Sequence, residues 1–165
     1  MPQVFPARPT RRQIPGFAHY CALLISALAF LGFATARGES GLEPLEITTS
    51  SGVHAFQVEI AKDEAAREKG LMYRRFMPAD RGMLFEFERE EPVAFWMRNT
   101  YIPLDMIFVA RDGSVTRVAA NAEPMSDTAV PSGGPVIGVL ELNGGEAARI
   151  GLKRGDKVSA SFFKH

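Results

Sequence analysis

The chain has 165 residues, 46% of them hydrophobic, which suits one domain with a core and argues against wholesale disorder. Its 19 basic and 19 acidic side chains cancel, which argues against a broad nucleic-acid footprint. A single cysteine excludes an intrachain disulfide framework and any multi-cysteine zinc or iron–sulfur site.

Residues 1–36 carry Arg8, Arg11 and Arg12 and no acidic side chain. A 15-residue apolar run, Tyr20–Ala34, follows the arginines, and Ala34-Thr35-Ala36 offers small residues at −3 and −1. This pattern predicts a secretory signal peptide over 1–36, cleaved before Arg37. The run is shorter than the roughly 20 residues of a spanning helix, so no stable membrane span is expected after cleavage. An uncleaved anchor is the alternative, because the apolar stretch extends back to Phe17. Cys21 lies near the start of the run, where a lipoprotein cysteine does not. Arg11-Arg12 faintly resembles a twin-arginine signal, but Pro15 and the distance to the apolar run favour ordinary secretion. The mature chain keeps 16 basic and 19 acidic residues and no cysteine. It is expected to be periplasmic or secreted, with no nucleic-acid partner.

Residues 37–44 are polar and glycine-containing and read as a flexible leader, with one β-rich domain over 45–163. Leu45–Thr49 starts a strand, and Ser50-Ser51-Gly52 turns it. In Val53–Ala61, His54, Phe56, Val58 and Ile60 share one face. A short helix over 63–69 has Asp63 as N-cap and Gly70 as its stop. Met83–Glu88 alternates again, and Pro92 opens a strand at Val93–Arg98. Asp105–Ala110 and Ser114–Ala119 flank an Asp112-Gly113 turn. The stretch 121–135 holds three prolines and a glycine pair and predicts a long loop. Val136–Leu142 is apolar enough for a central strand. A second short helix is expected over 146–150, then a last strand over Lys157–Phe163. Glu-Ala-Ala-Arg occurs at both 64–67 and 146–149. Shared helix-stopping chemistry explains this echo as readily as duplication does. The fold class is mostly β (α+β): a compact antiparallel β-sandwich or barrel-like single domain with two short helices.

Three blocks together resemble a known family. The first is Lys69-Gly70-Leu71-Met72-Tyr73-Arg74 with Gly82-Met83-Leu84-Phe85-Glu86-Phe87. The second and most specific is Phe95-Trp96-Met97-Arg98-Asn99-Thr100-Tyr101-Ile102-Pro103-Leu104-Asp105. The third is Val139-Leu140-Glu141-Leu142 with Gly151-Leu152-Lys153-Arg154-Gly155-Asp156-Lys157-Val158. In this order and spacing they resemble domain of unknown function 192, over about residues 45–163. The resemblance implies a compact mostly-β domain, often exported in bacteria, and no established activity or catalytic residue. Some family members carry a cysteine pair near the stretch matching Pro124–Pro135. This chain has none there.

Asp105 is the sharpest candidate for chemistry, a carboxylate between Leu104 and Met106 that needs a partner if buried. The preferred reading is a lock that accepts turn N–H groups and pairs with Arg98. Trp96 and Arg98 share a strand face, a setting for cation–π packing or a ligand platform, although a lone tryptophan is expected in the core first. Asn99 and Thr100 add an amide and a hydroxyl at the strand end. Glu141 lies in an apolar run, on the face of Ile137 and Val139, and its pKa depends on its partner. Asp105 and Glu141 would make a carboxylate pair for acid–base work if they met. Phe76, Met77 and Met83 are expected to pack into the core before lining a cleft. His54 and His165 do not suit a metal site, and no serine elbow or phosphate loop is present.

No metal or cofactor is therefore expected. The leading functional reading is a small binding module of the cell envelope, for an unknown small molecule or envelope component. A hydrolase-type enzyme using Asp105 and Glu141 on a polar or glycan substrate is one alternative. A structural or partner-binding envelope protein is the other. Convergence of Asp105, Glu141 and Arg98 in one cleft would favour the enzyme.

Overall fold

The computed structural model describes residues 41–163; the predicted signal peptide, Cys21 and His165 lie outside the described residues. The first hairpin forms where alternation and turn chemistry place it. Strand β1 (Leu42–Thr49) pairs antiparallel with β2 (Gly52–Ala61), burying Leu45, Ile47, Phe56 and Val58. Half-buried His54 sits at the turn, its Nε2 2.9 Å from the Ser51 hydroxyl. The segment read as a leader is shorter than expected. Leu42–Pro44 already pair with Gln57–Glu59, because β2 is long enough to offer them a ladder.

Helix α1 (Glu64–Lys69) starts at Asp63, whose carboxylate accepts the Ala66 N–H at 2.8 Å, and stops at Gly70, with φ 47°. The chain then enters β3 (Arg81–Phe95), parallel to β2. A parallel neighbour needs a crossover, and α1 with the turn-rich stretch 70–80 supplies it. Among the described residues this is the one parallel pair in a sheet expected to be antiparallel throughout.

The two strands expected at 83–88 and 93–98 are one. Strand β6 (Val130–Asn143) runs beside β3 on both sides of a register shift between Glu86 and Glu91. Pro92 faces Pro135 across that ladder beyond the stretches paired with β2 and β4, so each proline lies on an edge of the sheet, where a strand proline is tolerated. Pro131 and Pro135 thus sit in a strand, and the loop expected over 121–135 shrinks to 123–129. Strands β4 (Leu104–Val109) and β5 (Val115–Ala122) make the predicted hairpin. Helix α2 (Glu146–Arg149) follows β6, and β7 (Lys157–Ser159) is shorter than expected, with Phe163 turning back into the core.

The seven strands form one sheet in the order β5-β4-β6-β3-β2-β1-β7. It curls until its edges meet: Ser114 bridges Lys157, and Val115 N–H donates to the Asp156 carbonyl at 2.9 Å. The architecture is barrel-like, and each face of the sheet covers its own core. The inner core holds Ile47, Val58, Leu84, Ile107 and Leu140, with Ala147 and Ile150 from the α2 region packed among them. The outer core holds Leu71, Met77, Phe85, Met97, Met106 and Phe108. Strand β4 is buried on both faces and feeds both cores alternately. Met77 and Met83 are core residues as expected, whereas Phe76 is 76% exposed.

Gly82 faces Leu142 across the β3–β6 ladder, where there is no room for a side chain. A Cβ there would stand 2.6 Å from the Glu141 carbonyl oxygen and 2.8 Å from a Leu142 methyl. Gly82→Ala is expected to cost about 1–3 kcal/mol by forcing the strands apart. Thermal unfolding followed by circular dichroism checks this, with a lower midpoint and an unchanged β-rich spectrum.

Candidate functional site

Sheet register sets out the site. On the outer face, Glu59 of β2 faces Met83 of β3, Met83 faces Glu141 of β6, and Glu141 faces Met106 of β4. This row lies next to a cleft of about 670 Å³ between α1 and the far half of β3. Arg67, Gly70 and Leu71 form one wall, and Val93, Phe95 and Trp96 form the other. Phe85 and Glu141 line it from the sheet, and Thr100 from the loop after β3. Phe85 and Phe95 meet edge to face at 4.9 Å.

Glu141 is only 4% exposed, and no hydrogen bond or ion pair is made by its carboxyl. Among the described residues no fully buried side-chain oxygen or nitrogen lacks a partner, so this unpartnered carboxyl must open onto the cleft. Burial alone pushes its pKa up to about 8. The neutral acid therefore predominates at neutral pH. The nearby guanidinium of Arg74 is engaged elsewhere: it forks onto Glu59, with Nη2 2.6 Å from Oε2, and holds that carboxyl below its ordinary value.

The predicted site residues divide between the two faces of the sheet. Trp96, Thr100 and Glu141 share the cleft. Trp96 is 49% exposed rather than in the core, because β3 ends at Phe95 and releases it into a turn. The Arg98 guanidinium carbon stacks 4.3 Å over the Trp96 ring, and its Nε donates to Asp127 at 2.7 Å. Asn99 supports the rim: its carbonyl accepts the Tyr73 N–H at 2.8 Å, and its amide reaches Met72 sulfur at 3.9 Å.

Asp105 stands apart. It faces Leu142, one residue from the Met106–Glu141 pair, so it points to the inner face. It is fully buried, and its Oδ1 accepts Asn121 N–H at 2.8 Å and Gly145 N–H at 3.1 Å. Its Oδ2 accepts Ala147 N–H at 2.7 Å. Asp105 does accept backbone N–H groups, but from β5 and the start of α2 rather than from the turn before it, and Arg98 is not its partner. Helix α2 has only Gly145 at its N-cap, with no side-chain cap, and Asp105 supplies acceptors from β4 instead. The Asp105–Glu141 carboxylate pair does not exist, because alternation along adjacent strands puts the two on opposite faces. Asp105, Glu141 and Arg98 do not converge.

The sequence reading missed the cleft's apolar walls. Leu71, Phe85, Val93 and Phe95 read as core in any alternating pattern. Nothing in the sequence marks the cleft, but the backbone does: three non-glycine residues with positive φ, Tyr73 (66°), Asn99 (56°) and Met125 (62°), lie in the loops beside it. Those loops are tied together by backbone bonds, including Met125 N–H to the Thr100 carbonyl at 3.1 Å. Such conformations cost free energy and cluster at binding and catalytic sites. Among the described residues no three His, Cys, Asp or Glu side chains gather in a way that could hold a metal ion.

Residues 46–160 match the profile of the family DUF192, described as an uncharacterized ACR. A crystal structure from Sinorhizobium meliloti 1021, described as a candidate transcription regulator, is 46% identical with a TM-score of 0.71, covering 73% of this chain and 94% of that one. A protein of unknown function from Novosphingobium aromaticivorans DSM 12444 is 47% identical with a TM-score of 0.70, covering 72% of this chain and 84% of its own. No curated protein matches. With its three sequence blocks, its curled mostly-β sheet and a profile match across nearly all of the described residues, the chain belongs to the family of domain of unknown function 192.

Proposed function

We propose that the protein is an exported binding module of the bacterial envelope, whose ligand enters the cleft beside Glu141. One observation carries the reading: a buried, unpartnered carboxyl facing an aromatic-lined cleft of about 670 Å³. That volume suits a small molecule, and few but well-placed polar groups are what fix a ligand's orientation in such a site. A buried acid without a partner is costly, which a ligand supplying the partner would offset. The hydrolase alternative loses its motive, since Asp105 is spent on three backbone N–H groups on the other face. The net charge of −3 over residues 37–165 gives a phosphate backbone no broad counterpart.

Trp96 is the only tryptophan, so its fluorescence reports on the cleft directly. Titration with envelope small-molecule fractions should shift its emission. Ala94→Phe, which adds bulk to an exposed position of the cleft wall, should abolish the shift without lowering the melting point. A shift that survives Ala94→Phe unchanged would place binding elsewhere.

Export belongs to the same proposal, on the strength of the basic start, the apolar run and Ala34-Thr35-Ala36. In a Gram-negative host the intact mass of the periplasmic form should correspond to a chain beginning at Arg37. A mass that still includes Cys21 would overturn the cleavage site.

A further inference from the structure

We infer that the ligand of this cleft is an organic cation, an amine or quaternary ammonium on an apolar body, with its positive head at Glu141 and its body among the rings of Phe85, Phe95 and Trp96. The inference rests on the cleft being the binding site and goes on to name the chemistry it selects.

Four observations point the same way. First, Glu141 is buried on a row whose other near members, Met83 and Met106, offer no donor. The group it lacks is a cation or a strong donor. Second, the walls are aromatic, and ring faces attract cations while disfavouring anions. The fold already uses this contact twice beside the cleft, with Arg98 over Trp96 and Arg67 over Phe87.

Third, the arginines beside the cleft are spent. Arg67 donates to the carbonyls of Lys62 and Glu86. Arg74 is paired with Glu59, while Lys69, exposed at the rim, makes no ion pair and adds only its field to that same carboxylate. Fourth, apart from Lys69 the remaining charged groups at the mouth are acidic: Glu64 and Glu68 on α1, and Glu91 on β3, which Arg89 meets at 3.3 Å. Asp105 is on the opposite face, and no histidine lines the cleft. An anion would meet Glu141 and these carboxylates with only the exposed Lys69 at the rim, and no guanidinium, to hold it.

Binding has a proton balance. The carboxyl of free protein is largely protonated at neutral pH, and an ammonium head is held best by the carboxylate. At pH 6 each cation bound therefore releases close to one proton from Glu141 to solvent and at pH 9 far less, and affinity must rise with pH until the carboxyl is ionised in the free protein.

The test uses three probes of matched shape on the full chain: benzyltrimethylammonium, its neutral carbon analogue neopentylbenzene, and the anion phenylacetate. Calorimetric titration and Trp96 fluorescence are recorded at pH 6, 7.5 and 9. The ammonium probe is expected to bind roughly tens of fold more tightly at pH 9 than at pH 6, with proton release, and more tightly than either comparison probe at pH 9. Glu141→Gln, which keeps shape and removes charge, should flatten the pH dependence and erase the preference for the cation. If the neutral probe binds as tightly as the ammonium at every pH, the cleft binds ligands but the cation inference falls. If affinity for the ammonium falls with pH, Glu141 acts as a neutral donor and the inference is again overturned. If none of the three gives heat or a Trp96 response at saturation, the inference and the cleft reading fall together.

Discussion

Asp105→Ala is expected to destabilise the protein by of order 3–5 kcal/mol, while Arg98→Met costs less than about 1 kcal/mol. The difference follows from where each charge sits. Asp105 is fully buried, and its two oxygens serve three backbone N–H groups, from the end of β5 and from both sides of the start of α2. Alanine leaves those donors without an acceptor in the inner core, at about 1–3 kcal/mol for each buried group left unsatisfied. Asp105→Asn should fall between wild type and alanine. An amide has one oxygen to offer, and its NH₂ must then face at least one N–H. Arg98 and Asp127 are both half-exposed or more, and such a pair is worth little. Asp105 and Arg98 share no partner, so their effects should add in the double variant rather than cancel. Denaturant unfolding of the four variants decides this. A wild-type midpoint for Asp105→Ala would mean that the three bonds do not hold α2 in place.

The residues that announce themselves locally were legible without a structure. Asp63 and Gly70 bracket α1 because capping is a matter of a few neighbouring atoms. Asp112-Gly113 turns the β4–β5 hairpin for the same reason. That Asp105 had to be satisfied could be read from Leu104 and Met106 on either side. Which groups satisfy it could not, because Gly145 and Ala147 come close only after β4 pairs with β6. The parallel β2–β3 pair and the prolines inside β6 are likewise products of the whole sheet. Period-two alternation assigned Glu141 and Val139 to one face and Leu140 and Leu142 to the other, as observed. It put Ile137 with Glu141, yet Ile137 packs in the inner core, where the ladder shifts register beyond Gly138. Trp96 was misplaced by the same long-range effect. Only the end of β3 at Phe95, set by where β6 begins, brings it out to solvent.

Glu141→Gln is expected to leave stability nearly unchanged at pH 4.5 and below, and to raise it relative to wild type by up to about 5 kcal/mol above pH 8. In the unfolded chain this carboxyl titrates near its ordinary value of 4.5, and in the folded protein burial pushes it up to about 8. Between those values the native state keeps a proton that the unfolded state has released. Stability then falls as pH rises, because the unfolded state binds fewer protons. Below the window both states hold the proton, and above it both have lost it, so the wild-type curve flattens at either end. Glutamine has no proton to lose, and its curve should lack this slope. The Glu59–Arg74 pair works in the opposite direction. Glu59 is held below its ordinary value, so the stability it adds is present above that value and disappears as pH falls through the lowered one. Asp112, lowered by Lys157 and Ser114, behaves in the same sense. Both act at the acid end; Glu86, raised by burial and by Glu43, acts in the same sense as Glu141, and the comparison of wild type with Glu141→Gln isolates the Glu141 contribution. Denaturant unfolding of wild type and Glu141→Gln at pH 5, 7 and 9 should therefore give two curves that begin close together and diverge steadily. Parallel curves would mean that the carboxyl is ionised and solvated at neutral pH, and would remove the reason to expect a ligand there to supply what the protein leaves out.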